Sequence, residues 1–351
     1  MKILHTADLH LDSVMEANLD PSVATQRRRE LLLTFGRMVD YAAKVGVRVF
    51  LICGDLFDTA HPSPDAEGYV MSQIAAHPEI DFLCLWGNHN EGYTPTHAPA
   101  NLRTFPQKGY AHYRYGDVVI TGSESNSSYH ELRLEEKDIN ILALHGQLSD
   151  SITDLAVINL KFYRNLHIDY LALGHYHRQR KEPLDDRGVW AYCGTPEGRG
   201  FDEAGEKGFM LLDTDGGRLS SVFVPFAKRT VHLVTVDISR LFNQRDIEKA
   251  VGEAVAAIPQ SDLVRVVLRG IYETEMHKDI EQLTSLFEDR FFHFSVVDES
   301  NISLRPDSYE HDVSLKGEFV RTVLACGLSR EDTERIIRCG IQALNGEEVD
   351  E

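Results

Sequence analysis

The sequence predicts an α/β sandwich. Short apolar runs rich in β-branched and aromatic residues recur through the first half of the chain, and most are closed by glycine. Stretches of helical period separate the first three runs, and every run leads into a motif dense in metal-ligating side chains. Runs of this kind read as buried strands, and their alternation with helices implies packed layers of sheet and helix.

Lys2-Ile3-Leu4 leads into Asp8-Leu9-His10, and a helical pattern follows over residues 22–45. The run from Val47 to Cys53 leads into Gly54-Asp55-Leu56-Phe57-Asp58, with a second helical pattern over residues 64–77. Phe82 to Trp86 precedes Gly87-Asn88-His89-Asn90, Ile139 to Leu144 precedes His145-Gly146, and Ile168 to Leu173 precedes Gly174-His175-Tyr176-His177. In open α/β sheets, sites gather outside the carboxyl ends of the strands. Motifs scattered along the chain therefore converge on one pocket.

Any one of these motifs is a weak signal, but five in this order, each after a strand-like run, are a strong one. Together they offer two carboxylates, one amide and four imidazoles as ligands, enough for two divalent cations sharing one bridge. Two such ions about 3.5–4 Å apart activate water and clamp both oxygens of a phosphate ester in displacement. Asp55 suits the bridge, because a carboxylate has two oxygens. Asp8, His10 and His177 complete one metal; Asn88, His145 and His175 complete the other. Mixed imidazole and carboxylate donors suit Mn, Fe or Zn better than Mg or Ca. His89 adjoins a ligand without being needed as one, and is assigned to the leaving-group side as general acid or stabilising cation. Asp58 reads either as support for a ligand or as a capping or solvated loop residue. Gly54, Gly87 and Gly174 each precede a ligand, where a bare backbone permits a tight turn and close approach.

This constellation resembles the calcineurin-like metallophosphoesterase superfamily over about residues 1–225. Within it the chain is most similar to the DNA repair exonuclease branch, the SbcD- and YhaO-like nuclease subunits. The opening strand through Leu11, the run Gly54-Asp55-Leu56-Phe57-Asp58-Thr59, and the segment from Tyr192 through Gly194, Arg199, Phe201 and Glu203 to Lys207-Gly208-Phe209 carry the likeness. The resemblance implies a four-layer sandwich of two mixed sheets flanked by helices. It also implies Mn-dependent nuclease activity on DNA, an SMC-like coiled-coil ATPase partner of the SbcC kind, and a homodimer. The third motif of the family usually ends in an acid, where this chain has Asn90. An acid there would hold the His89 imidazole, so His89 is expected to titrate lower than in relatives.

The chain of 351 residues suggests two or three units. Domains are expected at 1–227 (metallophosphoesterase), 228–302 (an α+β unit resembling the branch's DNA-positioning cap) and 303–351 (two amphipathic helices and an acidic tail). The cap has a bland alternative, a stabilising or dimerising appendage. The helices carry Leu315, Phe319, Val323 and Leu324 on one face and Ile336, Ile337, Ile341 and Leu344 on the other. They must dock on this chain or on a partner, which the resemblance makes the ATPase coiled coil.

No apolar run approaches the ~20 residues that span a bilayer, and the chain starts directly on a strand without a leader, so a cytoplasmic protein with no membrane partner is expected. Cys53, Cys84, Cys193, Cys326 and Cys339 lack metal-type spacing and read mostly as buried thiols, which fits a reducing cytosol. A net charge of −19 argues against a free-standing non-specific DNA binder. Local basic runs offset this: Arg178, Arg180 and Lys181, directly after the last metal motif, are candidates for phosphate contact along with Arg199, the alternative being a solvated face. A small-molecule phosphoesterase and a weakly active scaffold subunit stand as the competing functions.

Overall fold

The computed structural model describes all residues except 16–18, 20, 150–156, 273–275, 277, 303–308, 310 and 346–351. The described chain divides into two compact units, Met1–Val231 and His232–Glu351.

The first unit opens with β1 (Lys2–Thr6), α1 (Pro21–Val45), β2 (Val47–Cys53), α2 (Pro64–Ala75), β3 (Asp81–Leu85) and β4 (Leu102–Thr104). There follow β5 (Ala111–Tyr115), β6 (Val118–Gly122), β7 (Ile139–His145), β8 (Tyr170–Gly174), β9 (Arg180–Pro183), β10 (Val189–Tyr192), β11 (Gly208–Asp213) and β12 (Ser220–Pro225). They form two six-stranded sheets, ordered β12-β11-β1-β2-β3-β4 and β5-β6-β7-β8-β10-β9. Both are mixed: β1 pairs parallel with β2 and antiparallel with β11, and β8 pairs parallel with β7 and β10 while β9 is antiparallel.

The central strands β1, β2, β3, β6, β7 and β8 bury both faces, which explains their continuous apolar runs. Between the sheets, Ile3, Val49, Leu51 and Leu83 meet Ile120, Ile141, Tyr170 and Ala172. On the far side of the first sheet, Leu4, Phe50, Ile52 and Phe82 pack against the helices. α1 presents Ala24, Leu31, Phe35, Met38, Val39 and Ala42, the i, i+3, i+4 stripe of a half-buried helix. Gly46, at φ +74°, stops it. Ser63 caps α2, its hydroxyl accepting from the Ala66 N–H at 3.3 Å. Outside the second sheet, among the described residues, Ile158 and Tyr163 and the 3₁₀ turns Asn126–Glu131 and Leu160–Phe162 cover Leu142, Leu144, Leu171 and Trp190. The architecture is the expected pair of mixed sheets flanked by helical layers.

The second unit contains β13 (Val231–Asp237), α3 (Gln244–Ala254), β14 (Leu263–Arg269), β15 (Ile271–Tyr272), α4 (Ile280–Phe287), β16 (His293–Asp298), β17 (Asn301–Ile302), α5 (Leu315–Ala325) and α6 (Arg330–Asn345). β13, β14 and β16 form a three-stranded sheet. The sequence pattern sets residues 303–351 apart as a third piece. In the structure Val320 and Val323 of α5 and Ile337 and Ile341 of α6 join the core built on Val264, Val266, Ile247 and Leu283. The two apolar helix faces expected from the periodicity are thus split. Leu315, Leu324, Ile336 and Leu344 stay exposed. Ser329 caps α6, accepting from the Asp332 N–H at 3.1 Å. The expected acidic tail lies outside the described residues. No helix among the described residues is long and apolar enough to cross a membrane.

Candidate metal centre

β1, β2 and β3 run parallel in one sheet and β7 and β8 in the other, so the motifs leave their strands together. Main-chain bonds lock the loops just past the strand ends: Asp8 N–H to Gly54 O (3.0 Å), His10 N–H to Asp55 O (3.0 Å) and Asp55 N–H to Trp86 O (2.8 Å). Gly174 lets the two sheets close on each other here, since a Cβ at that position would lie 1.8 Å from Cys53 O. Gly54 has φ +95°, and a Cβ there would lie 1.9 Å from His145 Nδ1. Four of the sequence-predicted ligands carry left-handed backbone: Asp8 (φ 53°), His10 (46°), Asp55 (52°) and His175 (102°). Such strain costs about 1–3 kcal/mol per residue and concentrates at functional sites.

The seven predicted ligand residues are brought together. Asp8, His10 and His177 form one group able to hold an ion, and Asp55, His145 and His175 another. Asn88 Oδ1 lies 2.9 Å from His145 Nε2 and 3.3 Å from His175 Nδ1, which joins it to the second group. Asp55 Oδ2 lies 3.2 Å from His145 Nε2, and its Oδ1 accepts from the His89 N–H at 3.0 Å. The His175 N–H donates to both Asp8 oxygens at 2.9 Å.

The supporting bonds also orient the imidazoles. His145 Nδ1 is 2.9 Å from Cys53 O, which makes Nδ1 the donor and leaves Nε2 for a ligand. His10 Nδ1 lies 2.8 Å from Asp58 Oδ1 as an ion-pair contact, and both ring nitrogens of His10 are buried without a hydrogen bond of good geometry. His177 Nδ1 lies 2.7 Å from Glu203 Oε1. A metal-binding histidine characteristically anchors its second nitrogen on a carboxylate or carbonyl in this way. The donor set and the orphaned His10 Nε2 fit a pair of divalent cations.

Electrostatics point the same way. Burial raises the Asp8 carboxyl above its ordinary value, though neighbouring histidines oppose it. Burial also pushes on Asp55, but the bond to His145 and the charges of His145 and His10 outweigh it and hold Asp55 low. Burial lowers His10, despite its bond to Asp58. It would lower His145 too, yet Asp55 and Asp8 prevail and raise that imidazole to about 9. The basin thus draws positive charge into a buried place, and a divalent cation would compete with that proton.

Residues 1–179 match the calcineurin-like phosphoesterase family. The chain belongs to that family. It is similar to an uncharacterized metallophosphoesterase, YhaO, of Bacillus subtilis (strain 168), 25% identical over 302 residues covering 77% of this chain and 72% of YhaO. It is also similar to the DNA double-strand break repair protein Mre11 of Sulfurisphaera tokodaii, 24% identical over 316 residues covering 81% of this chain and 78% of Mre11. This calcineurin-like phosphoesterase is therefore a metal-dependent phosphodiesterase, and its family works with divalent metal ions.

The remaining sequence candidates fall in distinct places. His89 is exposed beside the first group, its ring centroid 4.8 Å from that of His10 and its Nδ1 2.8 Å from Asp58 O. Asp58 supports His10 rather than capping a helix. The Asn90 side chain bonds to the main chain of Phe57 and Thr59. The partner of the His89 ring is instead the Asp58 carbonyl, so an acid at position 90 would face the loop. Arg199 is turned inward, with Nη1 3.1 Å from Asp58 Oδ1 and Nη2 2.9 Å from Glu203 Oε1. Arg178 is exposed immediately after His177. Arg180 and Lys181 lie on the edge strand β9, where Arg180 pairs with Glu182 at 2.6 Å and Lys181 donates to Ser221 O at 3.1 Å.

Two supporting carboxylates were not singled out from the sequence. Glu203 lies within the segment that carries the family likeness, and that was its available signal. Glu124 accepts from the Trp86 and Gly87 N–H groups at 2.7 and 3.3 Å, setting the turn before Asn88. It sits in a serine-rich stretch that gives no hint of this.

Proposed function

We propose that this phosphodiesterase is a DNA nuclease, the catalytic subunit of an ATPase-coupled repair complex. The observation that carries this reading is the extent of the likeness to Mre11. It covers 81% of the chain, whereas the ligand-bearing unit Met1–Val231 supplies 231 of 351 residues, about two thirds. The likeness thus continues into the second unit, which an esterase for small molecules has little use for.

Asp8, His10 and His177 would hold one metal, Asn88, His145 and His175 the second, and Asp55 would bridge them. The native metal is taken to be Mn, with Fe and Zn also suited to these donors. When bound, the metals neutralise phosphate charge and lower the pKa of water to make a nucleophile near neutral pH. His89 is the catalytic residue on the leaving-group side. The Asp58 carbonyl holds its Nδ1, which leaves Nε2 to deliver a proton to the departing oxygen. Arg199, through Asp58 and Glu203, steadies His10 and His177. Arg178, at the rim, with Arg180 and Lys181, would meet the DNA backbone.

Residues 228–302 would position DNA, and the helices of 303–351 would carry the ATPase. Exposed Leu315, Leu324, Leu328, Ile336 and Leu344 offer the apolar surface such a partner needs. A homodimer and a cytoplasmic location complete the reading. The net charge of −19 favours a second reading, a phosphoesterase for small substrates.

Digestion of end-labelled duplex, hairpin and single-stranded DNA with Mn or EDTA separates the two. Mn-dependent cleavage lost in His89→Ala is expected. Hydrolysis of bis-nitrophenyl phosphate without DNA cleavage, even with the partner ATPase present, would move the substrate to small esters.

A further inference from the structure

Asn90 is fully buried, and its amide is spent on one loop. Its Oδ1 accepts from the Phe57 N–H at 2.9 Å. Its Nδ2 donates to Phe57 O at 2.8 Å and to Thr59 O at 2.9 Å. One donor and two carbonyl acceptors face the side chain, so the network itself fixes which end of the amide is which.

Between those anchored residues sits Asp58, whose N–H, carbonyl and Oδ1 are all engaged. Its N–H donates to Asp12 Oδ1 at 2.8 Å. Its Oδ1 meets His10 Nδ1 at 2.8 Å and Arg199 Nη1 at 3.1 Å. Its carbonyl accepts from His89 Nδ1 at 2.8 Å. One residue therefore orients a metal-ligand imidazole through its side chain and the leaving-group imidazole through its main chain. Its own position is set by an amide on the loop that follows the neighbouring strand, Asp58 coming after β2 and Asn90 after β3.

We infer that Asn90 is a positioning residue that aligns His10 and His89 together through the loop of Phe57, Asp58 and Thr59. The part concerning His89 rests on the proposed leaving-group role. The amide is specific to this arrangement. A carboxylate at position 90 could accept from the Phe57 N–H, but its second oxygen would face two carbonyl oxygens with no proton between them, in a buried place. A carboxylate is thus the wrong group for this loop.

The test uses the full chain with Mn as the probe. Mn binding is measured by titration calorimetry, and kcat and KM on bis-nitrophenyl phosphate. Wild type, Asn90→Asp and Asp58→Ala are compared, with His175→Ala marking the second metal group. Asn90→Asp is expected to weaken one Mn site about tenfold or more, leave the other unchanged, and lower kcat about tenfold or more with KM within about twofold. The loss of Mn affinity from Asn90→Asp should largely vanish in an Asp58→Ala background, because both act through one residue.

Asn90→Ser, smaller and uncharged, is the second variant if the carboxylate prevents folding, and should show the same selective loss to a lesser degree. Wild-type affinity and kcat in both variants overturn the inference alone. So does equal weakening of both Mn sites, or full additivity with Asp58→Ala, because a general loss of packing would give either. Mn binding with the expected selective loss of affinity, but unchanged kcat, removes His89 from the inference and from the proposed function. A wild type that binds no Mn overturns both.

Discussion

Glu203 Oε1 lies 2.7 Å from His177 Nδ1, and the same oxygen lies 2.9 Å from Arg199 Nη2. Burial would push this carboxyl up, but the His177 bond and the charge and bonds of Arg199 outweigh it and hold Glu203 far below the usual range. A permanently ionised carboxylate keeps the His177 proton on Nδ1 and the lone pair on Nε2. Glu203→Gln should therefore weaken Mn binding about 10–100-fold, while kcat at saturating Mn changes only a few-fold. Activity measured against Mn concentration separates the two effects. An unchanged Mn dependence would remove Glu203 from the metal's support.

His89 occupies a different role, and its loss should read differently. His89→Ala is expected to lower kcat by about 10²–10⁴-fold with Mn stoichiometry and affinity intact. Calorimetry beside steady-state kinetics checks this. A parallel loss of Mn would instead make His89 a ligand in the group it forms with His10 and Asp58.

Gly54 combines a left-handed backbone with the closest approach to His145. Gly54→Ala should destabilise the protein by at least about 2 kcal/mol, from backbone strain and the displaced imidazole together. It should also weaken the second metal group. Denaturant unfolding and Mn titration report the two consequences, and a fully stable, fully Mn-competent variant would contradict the geometry.

Away from the metals, Glu30 is nearly buried among Arg27, Lys228 and Arg229. Burial raises its carboxyl, but the bonds from Arg229, Lys228 and Arg27 prevail and lower it from an ordinary value of 4.5 to about 2. A lowered carboxyl pKa favours the folded state wherever the unfolded chain's group is ionised. Its contribution is full above about pH 4.5 and fades as pH falls toward 2. The stability gap between wild type and Glu30→Gln should follow that course in urea titrations. A gap that stays constant from pH 6 to pH 3 would count against the ion cluster.

Removal of metal supplies a fifth expectation. EDTA should abolish turnover, and restored Mn should raise the unfolding midpoint. The stabilisation is about 2.7 kcal/mol when free Mn reaches a hundredfold excess over its dissociation constant. Thermal melts across an Mn series test this, and a midpoint insensitive to Mn would speak against a site that binds it in the folded state alone.

The sequence by itself determined the order of strands and ligands. Apolar runs such as Val47 to Cys53, short, rich in β-branched residues and closed by glycine, read as buried strands, and Asp8, Asp55, Asn88, His145 and His175 follow strand ends because chemistry in such sheets collects there. The α1 helix was legible for a similar reason: its pattern depends on near neighbours in the chain. What only the tertiary structure decided depends on residues far apart. Glu203 reaches His177 across 26 positions, and Glu124 holds the turn before Asn88 from 37 positions away. Arg199, a candidate for DNA contact by composition, is drawn to Asp58 from 141 positions away. The surroundings of Asn90 are set by Phe57 and Thr59, whose carbonyls require a donor. Periodicity says which face of an element is buried. Which polar group a buried side chain meets is settled when distant loops close on one another, because a hydrogen bond needs its partner within about 3 Å.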